Sequence, residues 1–252
     1  MISTESLSKK YGEKFVLKEV SASLPENKIT AFIGCNGAGK STMLNIISRL
    51  IPASEGCAFV DGKRVSEWDS RKLAQNLAIL GQNSHRSARI SVEELVAFGR
   101  FPHSGGRVGD RDFKMVEHAL KITGIEELRD RFIDELSGGQ RQMAHIAMSI
   151  AQDTKYILLD EPLNNLDMSR SVKIMKLLRK LAREESKTII IVIHDINFVS
   201  FYADHIVALK DGKIRYEGAV EAVMKPEILS DIYGMRIEIE EYKGKKICVY
   251  YQ

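Results

Sequence analysis

The chain has 252 residues and a formal net charge of +3, so it holds one large domain or two small ones with a sizeable core. That charge neither demands nor excludes an anionic partner, although a nucleic-acid binder would ordinarily be more basic. Its 44% hydrophobic and 28% charged residues are the proportions of an ordinary soluble globular protein, and its longest apolar runs, such as Thr188 to Ile193, fall far short of the roughly 20 residues that span a bilayer.

The N-terminal stretch Met1 to Ser6 has no basic segment followed by an apolar run, so no signal peptide is expected. The first clear element is Ile29-Thr30-Ala31-Phe32-Ile33, a short apolar run that stops at Gly34 and reads as a buried strand entering a glycine-rich turn. Ser41 to Leu50 alternates at helical spacing and is closed by Pro52. From about Ser84 to Ala151 the pattern is mainly helical, with a glycine- and arginine-rich loop at Pro102 to Asp110, as expected of a helical insertion (roughly 84–151). Tyr156 to Leu159 and Thr188 to Ile193 read as two further buried strands, with a helix from Met168 to Glu185 between them. Strand–helix–strand repetition predicts a parallel sheet covered by helices. Val220 to Tyr233 reads as a helix, and the alternation at Ile237, Ile239, Ile247, Val249 and Tyr251 around Lys243-Gly244 as a terminal hairpin, so that 219–252 forms a helix and a hairpin. No internal repeat or low-complexity linker interrupts the chain, and the whole of 1–252 is expected to be one domain. Cys35, Cys57 and Cys248 are odd in number and far apart, which suggests neither a disulfide framework nor a metal site and favours a reducing compartment.

Gly34-Cys35-Asn36-Gly37-Ala38-Gly39-Lys40-Ser41 fits the pattern G-x-x-x-x-G-K-[ST]. Its glycines let successive N–H groups turn inward on phosphate oxygens, and the helix that starts there adds its positive end. Lys40 sets a charge on the outer phosphates, the Ser41 hydroxyl is placed for magnesium, and Thr42 is a further donor. A Cys35 thiol facing that loop would be open to oxidation, or it is a small residue pointing away. Asp160 and Glu161 end a buried strand, where one carboxylate can hold magnesium and its neighbour can orient the attacking water. His194 ends the next strand, where it is either a donor to the terminal phosphate or a polar strand terminus. Leu136-Ser137-Gly138-Gly139-Gln140 opens an apolar-periodic helix and forms a second helix N-terminus suited to an anion. One nucleotide needs one such cradle, so the second is best explained as serving a nucleotide held by another copy of the chain.

On these motifs nearly the whole chain resembles the ATP-binding-cassette (ABC) family, whose signature is the Leu136 to Gln140 string. The resemblance implies an α/β fold: a P-loop NTPase core of RecA-like type, with an N-terminal antiparallel β subdomain and an inserted helical subdomain. It implies ATP and Mg2+ as ligands, with Tyr11 stacking on adenine and Gln82 attending the magnesium and sensing a membrane partner. It carries Asp167, in Asn165-Leu166-Asp167, across a dimer interface, where the family more often has Ser-Ala before Leu-Asp. It makes His194 the switch histidine. Two copies would sandwich ATP between Gly34, Asn36, Gly37, Ala38, Gly39, Lys40, Ser41 and Thr42 of one and Ser137, Gly138, Gly139 and Gln140 of the other. Glu161 would activate water, with Lys40, Gln82 and His194 as its catalytic companions. The implied partners are transmembrane permease subunits and, indirectly, a substrate-binding lipoprotein or periplasmic protein, with no nucleic acid; the implied place is the cytoplasmic face of the cell membrane.

Ser91-Val92-Glu93-Glu94-Leu95 followed by Phe98-Gly99-Arg100-Phe101-Pro102-His103 looks like the importers of iron–siderophore complexes, haem and cobalamin. The Asn-Asn-Leu-Asp segment and His194-Asp195-Ile196-Asn197 suit the iron–siderophore branch, with haem or cobalamin import as the alternative. Arg86, Arg89, Arg100, Arg107 and Arg111 read either as a face toward the permease and an anionic leaflet or as a solvated surface, and His85 and His103 as surface residues. A non-transport ABC ATPase fits less well: DNA-repair types split the cassette with coiled coils, and translation types carry two cassettes. An exporter motor is the other rival, although exporters often fuse motor and membrane domain.

Overall fold

A computed structural model describes residues 1–81, 89–164 and 166–250. Gln82, Ser84, His85, Arg86, Asn165 and Tyr251, which the sequence motifs single out, lie outside the described residues. The chain divides into two compact units, Met1–Trp68 with Thr188–Gln252, and Asp69–Lys187.

Among the described residues, the first unit contains strands of two larger sheets and a two-stranded terminal hairpin. In one, the strands run in the order Lys14–Leu24, Ile2–Tyr11, Glu55–Val60, Lys63–Arg64, each pair antiparallel. Along Ile2–Tyr11 buried residues alternate with exposed ones, as befits a sheet with one covered face, but bulges near Leu7 and Lys9 break the period. In the other, Ile29–Ile33 lies between Thr188–Val192 and His205–Lys210, parallel to both, and Lys213–Ala219 closes the edge as an antiparallel hairpin strand. Every residue of Ile29–Ile33 and of Thr188–Val192 is buried, which is why both read as unbroken apolar runs. Phe32 pairs with Val192, so Gly34 and His194 leave neighbouring strands at their carboxyl ends, where parallel sheets bind ligands.

The region expected as one helix from Val220 to Tyr233 is two, Val220–Val223 and Pro226–Tyr233. Proline disfavours the helical conformation in the residue before it, and Lys225 is extended (φ −131°), so the chain breaks there and Pro226 starts a new helix. The terminal hairpin pairs Glu238–Tyr242 with Lys245–Val249.

In the second unit Leu77–Leu80 and Tyr156–Asp160 form a parallel pair with Leu80 opposite Leu159. The helices Val92–Phe98, Asp110–Thr123 and Gly138–Ala151 pack on one another, and their Leu95, Val96, Val116, Leu120, Ala144 and Ala147 are all buried. The arginines near this region do not form one face. Arg100 is 2% exposed and ion-paired to Asp112 (Nε to Oδ1, 2.9 Å), whereas Arg89, Arg107 and Arg111 are exposed. A guanidinium enters an interior only with a carboxylate and carbonyls to receive it, and Arg100 has both. His103 is likewise turned inward, with Nε2 2.9 Å from the Gln152 carbonyl oxygen.

Candidate functional site

In the first unit the loop Gly34–Gly39 joins the central strand to the helix Lys40–Ile47. Gly34 has φ 136°, and a Cβ there would lie 2.1 Å from the Leu209 carbonyl oxygen. Gly34→Ala should therefore unfold the loop's anchor, lowering stability by about 3 kcal/mol or more, read as a fall in thermal midpoint. Gly39 is the N-cap and has no side chain to satisfy the first-turn amides, which leaves that helix end suited to an anion. Lys40 is 5% exposed, and its Nζ donates to the Gly34 and Cys35 carbonyls at 2.8 and 2.9 Å. The ammonium is thus held against the loop.

A cleft of about 640 Å3 opens beside this loop, lined by Val16, Asn36, Gly37 and Ala38 together with Lys14 and Lys18, among others. Its size lies within the range of small-molecule sites, and its lysines suit a polyphosphate. Tyr11 stands outside that lining, exposed at the end of its strand, with Lys9 Nζ 5.1 Å from its ring centroid. The Cys35 thiol donates to the Ile232 carbonyl oxygen at 3.4 Å. His194 is exposed beyond Val192, and Asp195 caps the helix that follows it, Ile196–Tyr202.

In the second unit Asp160 is buried at the end of its strand. Glu161 follows in the left-handed region (φ 51°), a conformation that costs a side-chain-bearing residue about 1 kcal/mol or more. Asn164 Nδ2 donates to Glu161 Oε2 at 2.5 Å and fixes the carboxylate's direction. The Ser41 hydroxyl and the Asp160 carboxylate are each a hard oxygen donor, the type that suits magnesium.

Ser137 caps the helix Gly138–Ala151 in a reciprocal capping box. Its Oγ accepts from Gln140 N–H (3.3 Å), and Gln140 Oε1 accepts from Ser137 N–H (3.0 Å). Gly138 faces open space, while a Cβ on Gly139 would lie 2.3 Å from Arg170 Nη1. Arg170 Nη1 also donates to Ser137 Oγ at 3.3 Å, and its Nε lies 3.5 Å from Asp167 Oδ2. Asp167 in turn caps the helix Met168–Glu184. Gln142 Nε2 donates to the Pro162 carbonyl at 3.1 Å, joining this helix to the turn that carries Glu161. Sequence reasoning missed Arg170, Asn164 and Gln142. Only Asn164 had a local signal, its place three residues after the acidic strand end.

Residues 17–164 match the family model described as ABC transporter. The chain is 50% identical to the Petrobactin import ATP-binding protein YclP of Bacillus subtilis (strain 168), over 100% of both chains. It is 39% identical to the Iron(3+)-hydroxamate import ATP-binding protein FhuC of the same organism, covering 99% of this chain and 94% of that one. Among solved structures, one described as a dimeric structure of MJ0796, a bacterial ABC transporter cassette, superposes with a TM-score of 0.78 at 32% identity, covering 87% of this chain and 99% of that one.

Proposed function

The chain belongs to the ABC transporter family, and from that premise we propose that it is the ATP-binding and ATP-hydrolysing subunit of an importer that carries an iron–siderophore complex across the cytoplasmic membrane. The observation that carries the reading is a pair of anion-ready helix N-termini in separate units, one at Gly39–Ser41 and one at Ser137–Gln140. Relatives named for petrobactin and iron(3+)-hydroxamate import support the cargo class, and the dimeric cassette supports a two-copy assembly.

In this reading the loop amides from Gly34 to Gly39, with Lys40 and Thr42, hold the phosphates of ATP, and Tyr11 stacks on its adenine. Ser41, Asp160 and Gln82 would hold magnesium, which when bound would supply positive charge beside the outer phosphates. Glu161 accepts the proton of the attacking water, and His194 donates to the terminal phosphate. Ser137, Gly138, Gly139 and Gln140 of a second copy close over the same nucleotide, with Asp167 at the interface. ATP binding then draws two copies together and hydrolysis releases them, a rigid-body movement passed to permease subunits. Among the described residues no helix is long and apolar enough to cross a membrane. Phe98, Phe101 and Phe113, all exposed in the helical part of the second unit, are the proposed apolar contact with the permease. Cargo would reach that permease from a substrate-binding lipoprotein or periplasmic protein, and the chain would sit on the cytoplasmic face.

Uptake of labelled ferric petrobactin, ferric hydroxamates, haem and cobalamin, compared in cells carrying the wild-type chain or only Glu161→Gln, tests this. Loss of a ferric siderophore's uptake is expected. Loss of haem or cobalamin uptake instead would move the cargo, and undiminished uptake of all four would remove the importer reading.

A further inference from the structure

One short segment grips the far end of the helix that starts at Ser137. A Cβ on Gly99 would lie 2.1 Å from the Met148 carbonyl oxygen, so the backbone at residue 99 runs directly against the helix's last turn. Arg100 Nη1 donates to the Ala151 carbonyl at 2.7 Å while its Nε holds Asp112. His103 Nε2 lies 2.9 Å from the Gln152 carbonyl oxygen; that oxygen can only accept, so the nitrogen carries the proton. A helix leaves its last carbonyls without intrahelical donors. Here Gln152 N–H and Asp153 N–H serve Met148 and Ile150, and Arg100 and His103 serve the next two carbonyls in line. A guanidinium at this end also complements the negative pole of the helix. Asp112 keeps the pair charged, since the Gly109 amide and then Arg100 hold its carboxyl below the usual carboxylate range.

We propose that Arg100 and His103 are positioning residues for the phosphate contact made by Ser137–Gln140. The proposal rests on the reading above, that this contact is to a nucleotide held by a second copy. The 14-residue helix is a rod about 21 Å long, and a packed helix shifts as a body. A displacement at Ala151 and Gln152 therefore arrives at Ser137 and Gly139, where about 1 Å of misplacement weakens a phosphate contact steeply. The same segment exposes Phe98 and Phe101, so it joins the proposed permease surface to the far end of this helix.

The test is ATP-driven self-association of the Glu161→Gln protein, measured by sedimentation with Arg100→Lys, His103→Ala or His103→Gln added. Binding of a fluorescent ATP analogue to dilute, monomeric protein is measured in parallel. Lysine keeps the charge toward Asp112 but cannot also reach Ala151, whereas glutamine can still donate to Gln152. Monomer affinity for nucleotide should stay within about twofold in every variant, and the dimer should weaken about tenfold with Arg100→Lys and His103→Ala. Glutamine at 103 should restore it. Unchanged association in both weakening variants would overturn the proposal, as would nucleotide affinity falling in step with association, which marks a general loss of fold. If the Glu161→Gln parent itself failed to associate with ATP, the two-copy reading would fall, and this proposal with it.

Discussion

Replacement of Glu161 by glutamine is expected to leave ATP binding intact and to cut hydrolysis by about 10²- to 10⁴-fold, the range over which a positioned proton acceptor acts. The substitution preserves volume and shape, and the backbone at 161 stays in its left-handed conformation, set by the turn from Asp160 to Asn164. The amide oxygen can still accept from Asn164. What disappears is the negative charge and the capacity to take a proton from water. Since the proposal gives the phosphates to Lys40 and the loop amides and only the attacking water to Glu161, nucleotide affinity should be little changed. The uncleaved nucleotide should then hold two copies together, so the variant should elute as a dimer with ATP and as a monomer with ADP. A Glu161→Gln protein with near-normal turnover would remove Glu161 from this role.

The second large effect is expected from Gly139→Asp. A Cβ at this position runs into Arg170 Nη1 at 2.3 Å, so the arginine has to move. The added carboxylate then either pairs with the displaced guanidinium or points into the helix N-terminus, and in both cases negative charge fills a place suited to phosphate. Each copy keeps its own Gly34–Ser41 loop, so ATP should bind a dilute monomer normally. Self-association with ATP should disappear, and turnover should fall about 10²-fold or more. Gly138→Ala, where a Cβ meets open space, is the matched control and should be far milder.

The elements that carry local signals are legible in the amino-acid order itself. The buried strands Ile29–Ile33 and Thr188–Val192 announce themselves as apolar runs ending in chemistry-bearing residues, and Ser137 with Gln140 spells its own capping box. The helix expected to end at Glu185 ends at Glu184. The N-terminal sheet is harder to read from the residues, because its bulges scramble the alternation that marks a half-buried strand. The break at Lys225-Pro226 is signalled by the proline but masked by the helical period around it. Arg100 shows a different limit. Its sequence neighbourhood is glycine- and arginine-rich, which reads as surface, but its fate is decided by Asp112 and by a helix end some fifty residues on. Arg170 is the same case: its contact with Ser137 spans 33 residues and leaves no periodic trace.

The central claim, that a nucleotide held by one copy is completed by the signature of another, is tested most directly by mixing two defective proteins. One carries Lys40→Ala and the other Gly139→Asp, both in the Glu161→Gln background and each with a different fluorophore. In the mixed pair one nucleotide meets an intact Lys40 from the second protein and an intact Gly139 from the first. Energy transfer between the fluorophores should rise with ATP in the mixture, while neither protein alone self-associates. No ATP-dependent transfer in the mixture, or full self-association of the Gly139→Asp protein by itself, would contradict the claim.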